Sequence, residues 1–218
     1  MVCRDCCAGV ASVFDAKLAD KNLSDYRRRG PSTPTGQLLV ALRQARGPSD
    51  SLLDVGGGVG VIAHELLDDG IASATLVEAS SAYLAAAREE SARRGTGERL
   101  EIWMGDIVEL ASDVPPADIV TLDKVICCYA DMDALLAVSS ARARRLMGLV
   151  YPRNSWWVRV GIVIGNFVWR LRGSEFRSYM HRDSAIHESL HAAGFAARSQ
   201  SRGLWWVIAV FERRAKSA

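Results

Sequence analysis

The sequence predicts a doubly wound α/β domain, with a mostly parallel sheet that ends in an antiparallel hairpin. Three observations predict it. Short apolar runs alternate with helix-length segments from residue 51 to residue 151, the pattern of strands joined by crossover helices. The first apolar run opens directly into Gly56-Gly57-Gly58-Val59-Gly60, a strand–turn–helix transition. The last two runs, 196–201 and 204–211, are split only by Arg202-Gly203, which reads as a terminal hairpin. The chain has 218 residues, 49% hydrophobic and 24% charged. That is enough for a sizeable core and excludes a disordered, fibrous or disulfide-knot protein.

Each element follows from local signals. Residues 10–29 form a polar helix stopped by Gly30-Pro31, and 35–46 a helix with Leu38, Leu39 and Leu42 on one face, ended by Gly47-Pro48. Residues 51–55 are a strand, and the helix after the glycines runs to Leu67, closed by Asp68-Asp69-Gly70. Then come strand 74–78, helix 81–94 and strand 100–104, with a turn and short helix through Leu110. Strand 118–122, helix 132–146, a short strand 149–151 and helix 184–193 complete the order before the hairpin. By position in the chain, residues 1–48 are expected to be a helical lid and lead-in to a ligand-binding domain over 49–218.

Three acids give the glycine loop its chemistry. Asp54 stands inside the turn, where a negative charge suits a cationic or amino-bearing ligand better than a pyrophosphate. Glu78 ends the next strand, 22 residues after Gly56, placed to accept both hydroxyls of a ribose. Asp106 follows Gly105 after the third strand, within reach of an adenine amino group or as a helix N-cap. A dinucleotide enzyme using Gly56, Gly58 and Gly60 for NAD is the competing reading, opposed by Asp54 and the terminal hairpin.

Taken together, these residues resemble the class I S-adenosylmethionine-dependent methyltransferases, whose sheet has seven strands and the same antiparallel end. The resemblance implies S-adenosyl-L-methionine as cofactor, held by Asp54, Gly56, Gly58, Gly60, Glu78, Asp106, Ile107 and Asp123. A narrower likeness covers roughly residues 50–212. The Leu122-Asp123 and Cys128-Tyr129 region, Trp156-Trp157 and Arg177-Ser178-Tyr179-Met180-His181 resemble the magnesium-protoporphyrin IX O-methyltransferases. Some members carry His where Cys128 precedes Tyr129. The narrower resemblance implies methyl ester formation on a tetrapyrrole carboxylate. Such an acceptor is ionised at pH 7 and needs no strong base. A hydroxyl or amine acceptor would need a catalytic group such as Tyr129 or His181.

Charge placement points the same way. Net charge is +2, yet residues 1–128 hold 13 Lys+Arg against 19 Asp+Glu, and residues 129–218 hold 14 against 6. The basic half includes segment 156–171, apolar except for Arg159, Asn166 and Arg170, which at 100° per residue fall within about 40° of one another. Such a helix is buried, lies on a membrane surface, or covers an apolar pocket. With the neighbouring Trp residues, Arg159, Arg170, Arg177 and Tyr179 are the candidate contacts for an anionic, apolar small-molecule acceptor. No compact basic patch suggests nucleic acid. His187 and His191 share a helix face without a third ligand, and Cys3, Cys6 and Cys7 lack a fourth metal partner, so no metal site is expected. The absence of a basic-then-apolar leader and five Cys residues fit a reduced, cytoplasmic protein.

Overall fold

The computed structural model describes Gly9 and residues 13–215. Cys3, Cys6 and Cys7 lie outside the described residues. Two helices lead in: α1 (Ala16–Arg29) and α2 (Thr33–Ala45). The alternating body is β1 (Ser51–Val55), α3 (Val61–Asp68), β2 (Ser73–Glu78), α4 (Ser81–Arg94), β3 (Leu100–Met104), β4 (Ala117–Asp123), α5 (Met132–Arg142) and β5 (Ala143–Pro152). Helices α6 (Trp156–Leu171) and α7 (Asp183–Ala192) precede the hairpin β6 (Phe195–Arg202) and β7 (Trp206–Arg213).

The seven strands form one sheet in the order β3-β2-β1-β4-β5-β7-β6. β1 to β5 pair in parallel, while β7 runs antiparallel to both β5 and β6. This is the class I methyltransferase fold. The order reverses between β1 and β4, so the loops after these strands open a crevice at their C-terminal ends.

Alternation along each strand builds a core on both faces. Leu52 packs with Leu38, Leu42 and Ile62 on the side of α2 and α3, while Leu53 packs with Leu135, Leu136 and Leu190 on the side of α5 and α7. A third cluster joins Leu23 and Tyr26 of α1 to Tyr83 and Ala86 of α4. The Asp15 carboxylate caps α1 by accepting from the Leu18 N–H.

Two expectations are corrected. The helix predicted over 132–146 ends at Arg142, and β5 is ten residues long instead of three. Arg144, Arg145, Leu146 and Met147 are good helix formers, but Leu146 and Met147 are buried and pair with both β4 and β7. Tertiary pairing overrides local propensity there. The short helix predicted through Leu110 is a succession of turns, with the Leu110 N–H donating to the Asp106 carbonyl.

Candidate functional site

The crevice at the strand ends is a cavity of about 740 Å³, well within the range of small-molecule sites. Its floor is the β1–α3 turn. Gly56 has φ +60°, and a Cβ there would lie 2.6 Å from Val125 Cγ2. Gly57 is required for another reason: its Cβ would stand 2.6 Å from Asp54 Oδ2. Gly57→Ala is therefore expected to displace the Asp54 carboxylate and weaken ligand binding at least about tenfold, measured by calorimetry with S-adenosylhomocysteine. Gly60 does not line the cavity; it caps α3 in a left-handed conformation, φ +80°.

Asp54 is 1% exposed. The Thr121 hydroxyl donates to its Oδ1 at 2.6 Å, while Oδ2 is buried and the residue forms part of the cavity lining. Burial pushes its carboxyl up to about 7, helped by the charges of Asp123 and Glu78 and opposed by the Thr121 bond. An uncompensated buried carboxylate calls for a cationic partner. Glu78 is fixed from both sides: Gly58 N–H donates to Oε2 at 3.0 Å and Ser80 N–H to Oε1 at 2.9 Å. Burial raises its carboxyl, and these backbone donors pull it back. Asp106 lines the cavity, and its Oδ1 accepts from the Val108 N–H at 2.9 Å, closing a turn where a helix N-cap was expected. Ile107 is buried beside it on the wall.

Asp123 also lines the cavity, but it is engaged by its own chain. Its Oδ2 accepts from the Thr35 hydroxyl at 2.6 Å and from Lys124 Nζ at 3.2 Å. Lys124 went unnoticed in the sequence. It is the one non-glycine residue with positive φ among the described residues, at 64°, a strained conformation that clusters at functional sites. Its ammonium donates to Ser32, Thr35 and Asp123, tying the start of α2 to the end of β4. Five acids line the cavity (Asp25, Asp54, Glu78, Asp106 and Asp123) against two cations, Arg29 and Lys124.

The lead-in helix closes one side. Phe14, Asn22 and Tyr26 line the cavity. Asn22 donates to the Tyr83 hydroxyl at 2.6 Å, and the Tyr26 hydroxyl donates to Glu65 at 2.8 Å. Arg27 donates to buried Glu90 at 2.8 Å, strapping α1 to α4.

Not all of the expected acceptor residues reach the cavity. Tyr129 lines it, and its hydroxyl donates to Asp106 Oδ2 at 2.7 Å. His181 stands behind it, its Nε2–H donating to the Tyr129 carbonyl at 2.9 Å. Tyr179 is held through its N–H on the Cys127 carbonyl, and Arg177 turns its guanidinium onto the Ser174 and Phe176 carbonyls. Neither lines the cavity, nor do Arg159 and Arg170, which lie exposed on α6. Asn166 leaves the expected polar stripe to bond the Ser178 backbone in both directions. Helical spacing put these three on one stripe, but it carried no signal for which side of α6 the body covers.

Residues 52–146, β1 into β5, match the family model for a methyltransferase domain. No curated protein sequence matches the chain. Among solved structures, magnesium protoporphyrin IX methyltransferase from Synechocystis PCC 6803 with bound SAH is similar over 96% of this chain and 100% of that one, with TM-score 0.73 and 17% identity. An O-methyltransferase family protein from Burkholderia thailandensis is similar over 95% of this chain and 64% of that one, with TM-score 0.72 and 13% identity. An O-methyltransferase family 2 protein from Planctomyces limnophilus, in complex with apigenin, is similar over 92% and 62%, with TM-score 0.67 and 14% identity. At these identities the likeness is one of fold.

Proposed function

We propose, from a chain of the class I fold whose residues 52–146 match a methyltransferase domain model, that the protein is an S-adenosylmethionine-dependent O-methyltransferase of small molecules. The observation that carries the reading is the buried Asp54 carboxylate in the lining of a glycine-floored, acid-lined cavity. When bound, S-adenosylmethionine supplies an activated methyl group on a sulfonium centre. Asp54 would meet its amino group, Glu78 its ribose, and Asp106 with Ile107 its adenine; Gly56 and Gly58 let the backbone come close.

The chain's own work is alignment and exclusion of water. Residues 1–48 act as lid and lead-in for the domain over 49–218, with α1 closing the cavity from the α4 side. The acceptor enters at the end of β4, beside Cys128 and Tyr129. The Tyr129 proton is spent on Asp106, and the His181 Nε2–H is spent on the Tyr129 carbonyl. His181 does not line the cavity and the Tyr129 hydroxyl is committed to Asp106, an arrangement that suits an acceptor already an anion. An ionised carboxylate needs no proton removed before it attacks. The likeness to a magnesium protoporphyrin IX methyltransferase makes a tetrapyrrole carboxylate the first acceptor to test. Arg29 and Lys124, the two cations that line the cavity, are the groups available to such an anion, while Arg177 and Tyr179 lie outside the lining on the segment bonded to Cys127.

Calorimetry with S-adenosylhomocysteine tests the cofactor. Glu78→Ala is expected to weaken binding at least about tenfold with unchanged circular dichroism, and failure of the native protein to bind at millimolar ligand would overturn the reading. NADH binding by fluorescence titration would point instead to an oxidoreductase. Transfer of labelled methyl to magnesium protoporphyrin tests the acceptor.

A further inference from the structure

We propose that the outer face of α6, together with the β6–β7 tip, seats the protein on an anionic lipid bilayer. This helix carries only one buried residue, Val158. Trp156 is 73% exposed, Val163 67%, Phe167 60% and Leu171 71%. At 100° per residue these four side chains fall within a sector of about 80°, so they form one face, directed away from the body. The hairpin tip extends that face. A Cβ on Gly161 would lie 3.0 Å from the Trp205 ring, and the Trp157 Nε1–H donates to the Leu204 carbonyl. Leu204 is itself 67% exposed. Contiguous apolar surface of this kind marks a partner or a membrane.

The surrounding charge selects the occupant. Helix α6 contains no acid, and Arg159 and Arg170 run along one edge of its apolar face. Over residues 153–182 there are six Arg (153, 159, 170, 172, 177 and 182) against one acid, Glu175. An apolar face edged by Trp and rimmed by arginines is the composition of a helix lying in a lipid headgroup layer, where anionic lipid adds attraction to apolar burial. A second copy of the chain fits less well. Two such faces packed antiparallel would bring the Arg159 of one against the Arg170 of the other, with no acid on either helix to neutralise them. Spanning is excluded by length: 16 residues rise about 24 Å, short of the roughly 30 Å hydrocarbon core. No helix among the described residues is long and apolar enough to cross a membrane.

The position gives the contact a use. Helix α6 leaves β5 at the sheet edge where the cavity opens, and the segment after it is bonded to Cys127 and Tyr129 on the acceptor side. A protein resting on α6 holds that side close to the bilayer, where an apolar anionic molecule partitions.

Flotation tests the proposal, using the whole protein with vesicles of phosphatidylcholine alone or mixed equally with phosphatidylglycerol. The native protein is expected to float with the mixed vesicles, far less with the neutral ones, and less again at high salt. A double variant, Val163→Asp with Phe167→Asp, is expected to lose at least about tenfold in vesicle partitioning at an unchanged thermal midpoint, since both side chains are exposed. Native protein that stays with the unbound fraction overturns the proposal, and so does a variant that floats equally well. A native dimer in gel filtration that the double variant converts to monomer would assign the face to a second copy and overturn it too. None of these readouts depends on the cofactor or the acceptor.

Discussion

An Asp54→Asn protein is expected to unfold at a higher temperature than the native protein at pH 8, and to bind S-adenosylhomocysteine at least about tenfold more weakly. Both effects come from one buried carboxyl, 1% exposed and pushed up to about 7. In the unfolded chain Asp ionises near 3.9. Between these values the folded protein holds a proton that the unfolded one has released, so the stability contributed by this group falls as pH rises from about 4 to about 7. Well above pH 7 the whole penalty is present, on the order of 4 kcal/mol. Asn keeps the acceptor for the Thr121 hydroxyl and carries no charge, so it removes most of that penalty and raises the midpoint by several degrees, roughly 2–4 °C per kcal/mol for a chain of this size. The same change removes the negative charge that would hold an ammonium. Thermal unfolding of native and variant proteins at pH 5 and pH 8 checks the sign: the gap between them widens at the higher pH. Equal midpoints at both values would mean that Asp54 is solvated or already paired.

The second large effect is expected at Glu90. Its side chain is fully buried, and both oxygens are bonded: Oε1 accepts from Arg93 and Arg94, and Oε2 from Arg27 and Arg93. The Arg93 guanidinium first, with Arg94 and Arg27, holds this carboxyl well below the usual carboxylate range. Glu90→Gln leaves Arg94, itself largely buried, without its fully buried counter-charge. Breaking one side of a buried ionic cluster costs about 3–5 kcal/mol. Two discounts apply here, because Arg27 and Arg93 are partly exposed and Arg94 keeps Asp68. A loss of about 2–3 kcal/mol is expected, read as a fall in the denaturation midpoint. Since Arg27 belongs to α1, the variant is also expected to loosen that helix from α4, seen as faster amide exchange over residues 16–29. The pH dependence runs opposite to that of Asp54. A depressed carboxyl contributes stability above its unfolded value, and the contribution is lost as pH falls below about 4.

Much of the fold was legible because its signals are local. The strand, the glycine turn and the acid ending β2 announce themselves within thirty residues, and the Arg202-Gly203 break fixes the hairpin. The errors arose where structure depends on what lies across the chain. Nothing in Arg144-Arg145-Leu146-Met147 says that two strands will flank it, so β5 reads as helix. The site divides in the same way. Asp54, Glu78 and Asp106 sit at readable offsets from the glycines. The Thr121 hydroxyl that holds Asp54 comes from the neighbouring strand, 67 residues on. The left-handed backbone of Lys124 has no sequence mark, since lysine rarely adopts it. Gly57 was passed over because the expected glycine spacing names its neighbours, yet it is the one that gives way to the Asp54 carboxylate.

The sheet ends at β6, and that ending governs how molecules of this protein meet when crowded. Apart from Phe195, every residue of β6 is solvent-exposed, and the strand reads Phe-Ala-Ala-Arg-Ser-Gln-Ser-Arg. An outermost strand offers unpaired backbone groups to any passing chain, and charged side chains along it are the usual deterrent. Arg198 and Arg202 supply that deterrent, and the irregular register between Ala197 and Ser199 bends the strand out of a flat template. Growth of one sheet onto another, the first step toward fibrils, is thereby discouraged at this margin.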